Sequence, residues 1–189
     1  DKETDIIIEF KKGIPIKITN LTDNKIIEGA LELFNYLNTI AAENGIGRID
    51  IVENRFIGIK SRGVYETPAG TILYKAHKDL ESIILDREVI HLKELFSPMI
   101  SKLIYNGFWY SPEMEFLMAS INKSQENITG KVYLTLYKGN VTVTGRESKY
   151  TLYNESLSSM EIEGGFNQKD AGGFIKITGL KFKNFGDKK

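Results

Sequence analysis

The sequence predicts an α+β domain, an antiparallel sheet built from N- and C-terminal hairpins with a central group of helices. Three observations predict it. Alternating apolar and polar residues mark strands at both ends of the chain, Ile6 to Phe10 and Lys131 to Tyr137. Between them, apolar residues recur at helical spacing in several segments that open at Thr67-Pro68, Asp86 and Ser111-Pro112. No internal repeat or low-complexity linker interrupts the chain, so residues 1–189 read as one domain.

Ile6, Ile8 and Phe10 share one face of a first strand, and Lys11-Lys12-Gly13 turns into a partner carrying Ile14, Ile16 and Ile18. Pro15 has no N–H for a ladder, which puts that strand at an edge or starts it at the turn. Leu21 to Asn24 is a second turn. Ile27, Ala30, Leu31, Phe34, Leu37, Ile40 and Ala41 then form a helical stripe opposite Glu28, Glu32, Asn35 and Asn38, and Gly45 ends the helix. Lys25 to Glu28 fit either this helix or an extension of the hairpin.

Ile49, Asp50, Ile51 and Val52 alternate as a strand, after which the pattern breaks into charge. Glu53, Asn54, Arg55, Lys60, Arg62 and Glu66 are divided by Phe56, Ile57 and Ile59, and Gly58 and Gly63 allow sharp bends. A strand that dissolves into charges and glycines before a new helix is one way to present a ligand-binding loop. By composition alone the same stretch is a solvated connection whose charges pair with each other.

Thr67-Pro68 starts a helix to Ile84 with Leu73, Ala76, Leu80 and Ile84 inward. Asp86 caps the next, with Val89, Leu92, Leu95 and Phe96 apolar; Ser97-Pro98 marks a kink or fresh start before Gly107 stops it. The Ser111-Pro112 helix turns Phe116, Leu117 and Ile121 inward, with Trp109 packed beneath it. Lys131–Tyr137 and Asn140–Thr144 form the clearest hairpin, Val132, Leu134 and Leu136 on its apolar face. Tyr150, Leu152 and Tyr153 fit a short added strand, and Glu163 to Gly173 reads as an exposed loop. From Phe174 the pattern permits a helix capped by Asp170 or a strand.

Lys+Arg 25 balances Asp+Glu 25, and no positive patch is clustered enough to favour nucleic acid or an anionic membrane. With Cys 0, thiolate catalysis and cysteine-bound zinc are excluded. The first residues, DKETD, are no secretory signal, so a cytoplasmic protein is expected; the missing initial Met points to a fragment. His77 and His91 each have one carboxylate at helical reach, Glu81 and Glu94, and neither has a third ligand, so metal binding is not expected. Gly63 to Gly70 is the nearest approach to a phosphate loop, but Tyr65, Glu66 and Pro68 crowd it, and no nucleotide site is expected.

The segment GRIDIVENRFIGIKSRGVYETPAGTIL, from Gly47 to Leu73, resembles the most characteristic part of the argininosuccinate synthase family. The likeness continues through Asp86-Arg87-Glu88, Tyr105-Asn106-Gly107-Phe108-Trp109, Lys123-Ser124-Gln125-Glu126, Gly145-Arg146-Glu147-Ser148 and Leu152-Tyr153-Asn154-Glu155. It runs from about Asp5 to the C-terminus. The resemblance implies a ligase of arginine biosynthesis that adenylates the citrulline ureido oxygen with ATP and Mg2+; aspartate then displaces AMP to give argininosuccinate and pyrophosphate. It implies that ATP and aspartate are held by an N-terminal nucleotide-binding domain that nothing here matches. This chain would be the C-terminal synthetase/multimerisation domain of a homotetramer, binding no cofactor itself and inactive alone. No catalytic residue is implied. Glu53 and Tyr65, twelve positions apart, match the family's citrulline contacts, and the resemblance favours a helix for the tail. Arg55, Lys60 and Arg62 are expected to pair with Asp50, Glu53 or Glu66. The rival reading is a non-enzymatic amino-acid-binding or assembly module on the same scaffold.

Overall fold

A five-stranded antiparallel sheet in the order β3-β2-β1-β6-β7 carries the core. The structure, a computed structural model, describes residues 2–158 and 167–186, with backbone alone at 158, 168 and 184–186. The chain divides into two compact units, Asp1–Leu152 and Tyr153–Lys189.

In the first unit, β1 (Thr4–Lys11) and β2 (Ile14–Asn20) form the N-terminal hairpin. Lys12 and Gly13 both take positive φ at its turn, as a twist-matched two-residue turn demands. The C-terminal hairpin is β6 (Gly130–Tyr137) and β7 (Asn140–Glu147), turned on Lys138-Gly139. The two are joined through β1 and β6, with Ile6 opposite Leu134 and Ile8 opposite Val132. Every second residue therefore points to the same face, and Ile6, Ile8, Phe10, Val132, Leu134 and Leu136 are buried there. The sheet is thus assembled from the two terminal hairpins, as the patterning predicts. Pro15 is tolerated in β2 because β3 (Ile26–Glu28) covers only Lys17 to Thr19.

Two helices cover the apolar face. From α1 (Ala30–Glu43), Leu33, Leu37, Ile40 and Ala41 are buried, and from α2 (Pro68–Ile84), Ala69, Ile72, Ala76, Leu80 and Ile84. The α2 stripe matches expectation, with Leu73 at its margin. The α1 stripe is rotated: Leu31 and Phe34 are exposed, and Leu33 is inside. Ile27 belongs to β3, so the helix starts after Gly29 and its register shifts. Asn38, expected outside, turns toward α2 and accepts from the Ala69 N–H at 3.0 Å, satisfying one of its unpaired N-terminal donors.

α3 (Arg87–Tyr105) is capped by Asp86, which accepts from Glu88 N at 2.8 Å, and runs through Pro98 without a break. Contrary to the periodicity, none of its residues is buried; Leu92 and Leu95 are exposed. α4 (Pro112–Gln125) is capped by Ser111, accepting from Met114 N at 3.2 Å, and buries Met114 and Leu117, while Phe116 and Trp109 face outward. Tyr150 to Tyr153 adds no strand; instead Leu152 N donates to Ile83 O at 2.7 Å.

The second unit holds the one-turn helix α5 (Glu155–Ser158) and α6 (Ala171–Gly186), the latter preceded by a short 3-10 turn over Gln168–Asp170. The tail is a helix, and Gly172 and Gly173 open it rather than closing a loop. The glycines at 164 and 165 lie outside the described residues. Among the described residues no helix is long and apolar enough to cross a membrane.

Candidate functional site

Between α1 and α2 the chain leaves the core as a two-stranded ribbon, β4 (Arg48–Asn54) and β5 (Lys60–Glu66). Gly47 closes its base: φ is 94°, and its carbonyl accepts from Thr67 N at 2.8 Å. A Cβ on Gly47 would lie 2.6 Å from Pro68 Cα and 2.7 Å from Pro68 N, both backbone atoms. Gly58, with φ 84°, turns the tip, where Gly58 N donates to Arg55 O at 2.7 Å. The expected loop is therefore a hairpin, and Gly63, expected at a bend, is an ordinary residue inside β5.

The register decides which side chains meet. Ile49 is opposite Tyr65, Ile51 opposite Gly63 and Glu53 opposite Ser61. These six share one face, on which Ile51, Glu53, Ser61 and Gly63 are half-buried. Val52, Arg62 and Val64 on the other face are exposed. There Arg62 takes Asp50 as a two-pronged partner, Nε to Oδ1 at 2.8 Å and Nη2 to Oδ2 at 2.5 Å. The guanidinium holds the Asp50 carboxyl below its usual value. Of the three partners open to Arg62, the pairing on the opposite face leaves Glu53 free of it.

Glu53 and Tyr65 are brought together. Tyr65 Oη donates to Glu53 Oε1 at 2.6 Å. Tyr65 stands four residues along β5 from Ser61, which faces Glu53; at about 3.3 Å per residue that is roughly 13 Å. The two side chains close this gap by lying along the ribbon toward each other, over Gly63. Tyr65 is 43% exposed, so the pair faces solvent, not hydrocarbon. The bond to Glu53, then burial and the nearby Glu53 charge, raise the phenol's pKa above its ordinary value. The Ser61 hydroxyl is buried on this face and has no hydrogen-bond partner among the described residues.

A separate cleft of about 1000 Å³ lies between α2, α3 and α4, lined by Tyr74, His77, Glu81, Lys93, Ile100 and Met118 among others. His77, Glu81 and Lys93 of its lining are tied into one network. His77 Nε2 is 2.8 Å from Gln125 Oε1, Gln125 Nε2 donates to Glu81 Oε1 at 2.8 Å, and Lys93 pairs with Glu81. His91 pairs with Glu88, not Glu94, which Lys78 takes. Helical spacing alone pairs His77 with Glu81, and the two stand 3.7 Å apart, but it shows neither the Lys93 and Gln125 arms of the network nor the roles of Gly63 and Ser61. The Lys93 and Gln125 arms are unreadable from spacing because they come from other helices; Gly63 and Ser61 are readable once β5 is recognised, since 61, 63 and 65 then share a face.

The chain matches the family described as Arginosuccinate synthase C-terminal domain over residues 1–185. The chain belongs to the argininosuccinate synthase family. It is 58% identical over 183 residues to argininosuccinate synthase of Thermotoga sp. (strain RQ2), covering 97% of this chain and 45% of that protein. Against argininosuccinate synthase of Xenopus tropicalis it is 55% identical over 184 residues, covering 97% and 45%. Against the Bos taurus argininosuccinate synthase it is 54% identical over 178 residues, covering 94% and 43%. The chain thus spans less than half the length of these curated relatives and corresponds to the C-terminal part of the argininosuccinate synthase family.

Proposed function

We propose that residues 1–189 are the C-terminal synthetase/multimerisation domain of a cytoplasmic, homotetrameric ligase that joins citrulline and aspartate with ATP and Mg2+, and that Glu53 and Tyr65 hold citrulline. The supporting observation is the solvent-facing Tyr65–Glu53 hydrogen bond of 2.6 Å on the ribbon of a chain matching this family over residues 1–185. The pair offers one acidic acceptor and one neutral donor. A carboxylate receives a charge-assisted bond from an α-ammonium group. A phenol donates to a carboxylate or ureido oxygen. Bound citrulline replaces the internal bond with two of its own. Neither residue moves a proton. By holding citrulline, both fix its ureido oxygen for adenylation and its ureido carbon for attack by the aspartate amine, a contribution of geometry. ATP is held by the N-terminal nucleotide-binding half, and this chain alone carries out no ligation.

The test uses full-length enzyme. Glu53→Gln raises KM for citrulline roughly 10- to 100-fold, the equivalent of a charge-assisted hydrogen bond. Tyr65→Phe raises it roughly 2- to 10-fold, as for a neutral one. Neither moves KM for ATP appreciably. Equal damage to both substrates overturns the assignment. Supplying the N-terminal half in trans separates the ligase reading from a non-enzymatic assembly module, since only the ligase regains activity.

A further inference from the structure

The space above Gly63 is the ribbon's least expected feature. A Cβ built there would lie 2.6 Å from both Cζ and Oη of Tyr65, and would overlap its ring edge as well. Real Cβ atoms do not approach so closely. Gly63 does not have positive φ, so its backbone is open to any residue and needs no glycine on conformational grounds. Glycine is also a poor strand former, weaker than alanine inside a ladder. Backbone and propensity therefore both argue against glycine here; only the overlying ring requires it.

The register places Gly63 between Tyr65 and the rung that carries Glu53. Ile51 is across the ribbon from Gly63 on the same face, and Ser61 and Glu53 form the next rung. The straight route from Tyr65 to Glu53 crosses position 63. With Gly63 present, the hydroxyl end of the ring passes over this position and its hydroxyl reaches Glu53 Oε1 at 2.6 Å.

We propose that Gly63 is a positioning residue for substrate: its missing side chain is the slot in which the Tyr65 ring lies, holding the phenol beside Glu53. This rests on the reading of Glu53 and Tyr65 as citrulline contacts. Gly63 touches no substrate. It acts through Tyr65, and any side chain at 63 lifts the ring off the ribbon and separates the pair.

Gly63→Ala tests this, because alanine suits extended backbone and the atom it meets is the end of a rotatable side chain. Two readouts are compared. In the chain with 13C at tyrosine Cζ, and Tyr65→Phe identifying the resonance, wild-type Tyr65 titrates above the usual tyrosine value of about 10. Gly63→Ala brings it back to about that value, as does Glu53→Gln. In full-length enzyme, Gly63→Ala raises KM for citrulline by the same factor as Tyr65→Phe, within about twofold, and leaves KM for ATP unchanged. An unchanged Tyr65 titration overturns the proposal. So does a released phenol with citrulline KM unchanged while Tyr65→Phe and Glu53→Gln raise it. If those two variants also leave citrulline KM unchanged, the citrulline reading itself fails, and Gly63's substrate role with it.

Discussion

At the scale of residues, the pair is set among three neighbours that carry no charge. Gly63 makes room, Ile51 fills the rung opposite, and Ser61 faces Glu53. Because its pKa is raised, the Tyr65 phenol remains a donor throughout the neutral range. The sign follows. A neutral form favoured by the fold adds stability below the ordinary tyrosine value, and that contribution is lost as pH rises through the folded one. Ser61 contributes differently, since its buried hydroxyl has no partner among the described residues. An unmet buried hydroxyl costs about 1–3 kcal/mol, so replacing it with a methyl removes a penalty. Ser61→Ala is expected to leave the urea midpoint unchanged or raise stability by up to about 1 kcal/mol. A loss larger than that would show that the hydroxyl has a partner in solution.

At the scale of elements, the ribbon is held at its base and free at its tip. Phe56 and Ile57 are 73% and 74% exposed, so little burial stabilises the far end. The base rests on Gly47, whose φ of 94° suits glycine and whose α-carbon lies against the backbone of Pro68. Gly47→Ala adds backbone strain of about 1–3 kcal/mol together with a clash that no rotamer relieves. It is expected to lower the urea midpoint and to speed amide exchange in β4 and β5 more than in β1 and β6. Uniform exchange changes would refute the base's special role. The contrast with Gly63→Ala is useful, since that substitution meets only a movable ring.

Legibility at this scale followed the kind of signal each element carries. The terminal hairpins were readable because Ile6/Ile8/Phe10 and Val132/Leu134/Leu136 alternate cleanly and bury one face. β5 was not, because KSRGVYE alternates small and aromatic residues with charge and valine rather than apolar with polar. Its register, and hence the meeting of Glu53 with Tyr65, follows only from pairing with β4. The face of α1 was also hidden. Apolar residues surround most of that helix, and which of them turn inward depends on where the sheet lies. For α3, periodicity gave the helix but not its surroundings: a stripe at helical spacing says which residues would be buried together, not that anything covers them.

At the scale of the molecule, the residues buried among those described lie between Ile6 and Val141, all within the first unit. The described side chains of the second unit are exposed throughout. Phe174, Ile175, Ile177, Leu180 and Phe182 of α6 are each 61–72% exposed, an apolar load of the kind that marks a partner surface. The Phe185 side chain, expected to join them, lies outside the described residues. If α6 supplies oligomer contacts, as the proposed domain role requires, then folding and assembly separate along the chain. A version ending at Leu152 keeps the whole sheet, α1 and α2, and is expected to unfold cooperatively at the same urea midpoint when measured as a monomer. Its sedimentation coefficient should be that of a smaller assembly than the 189-residue chain forms. Identical association states would remove α6 from the interface. A collapse of the midpoint would instead show that the second unit supports the first.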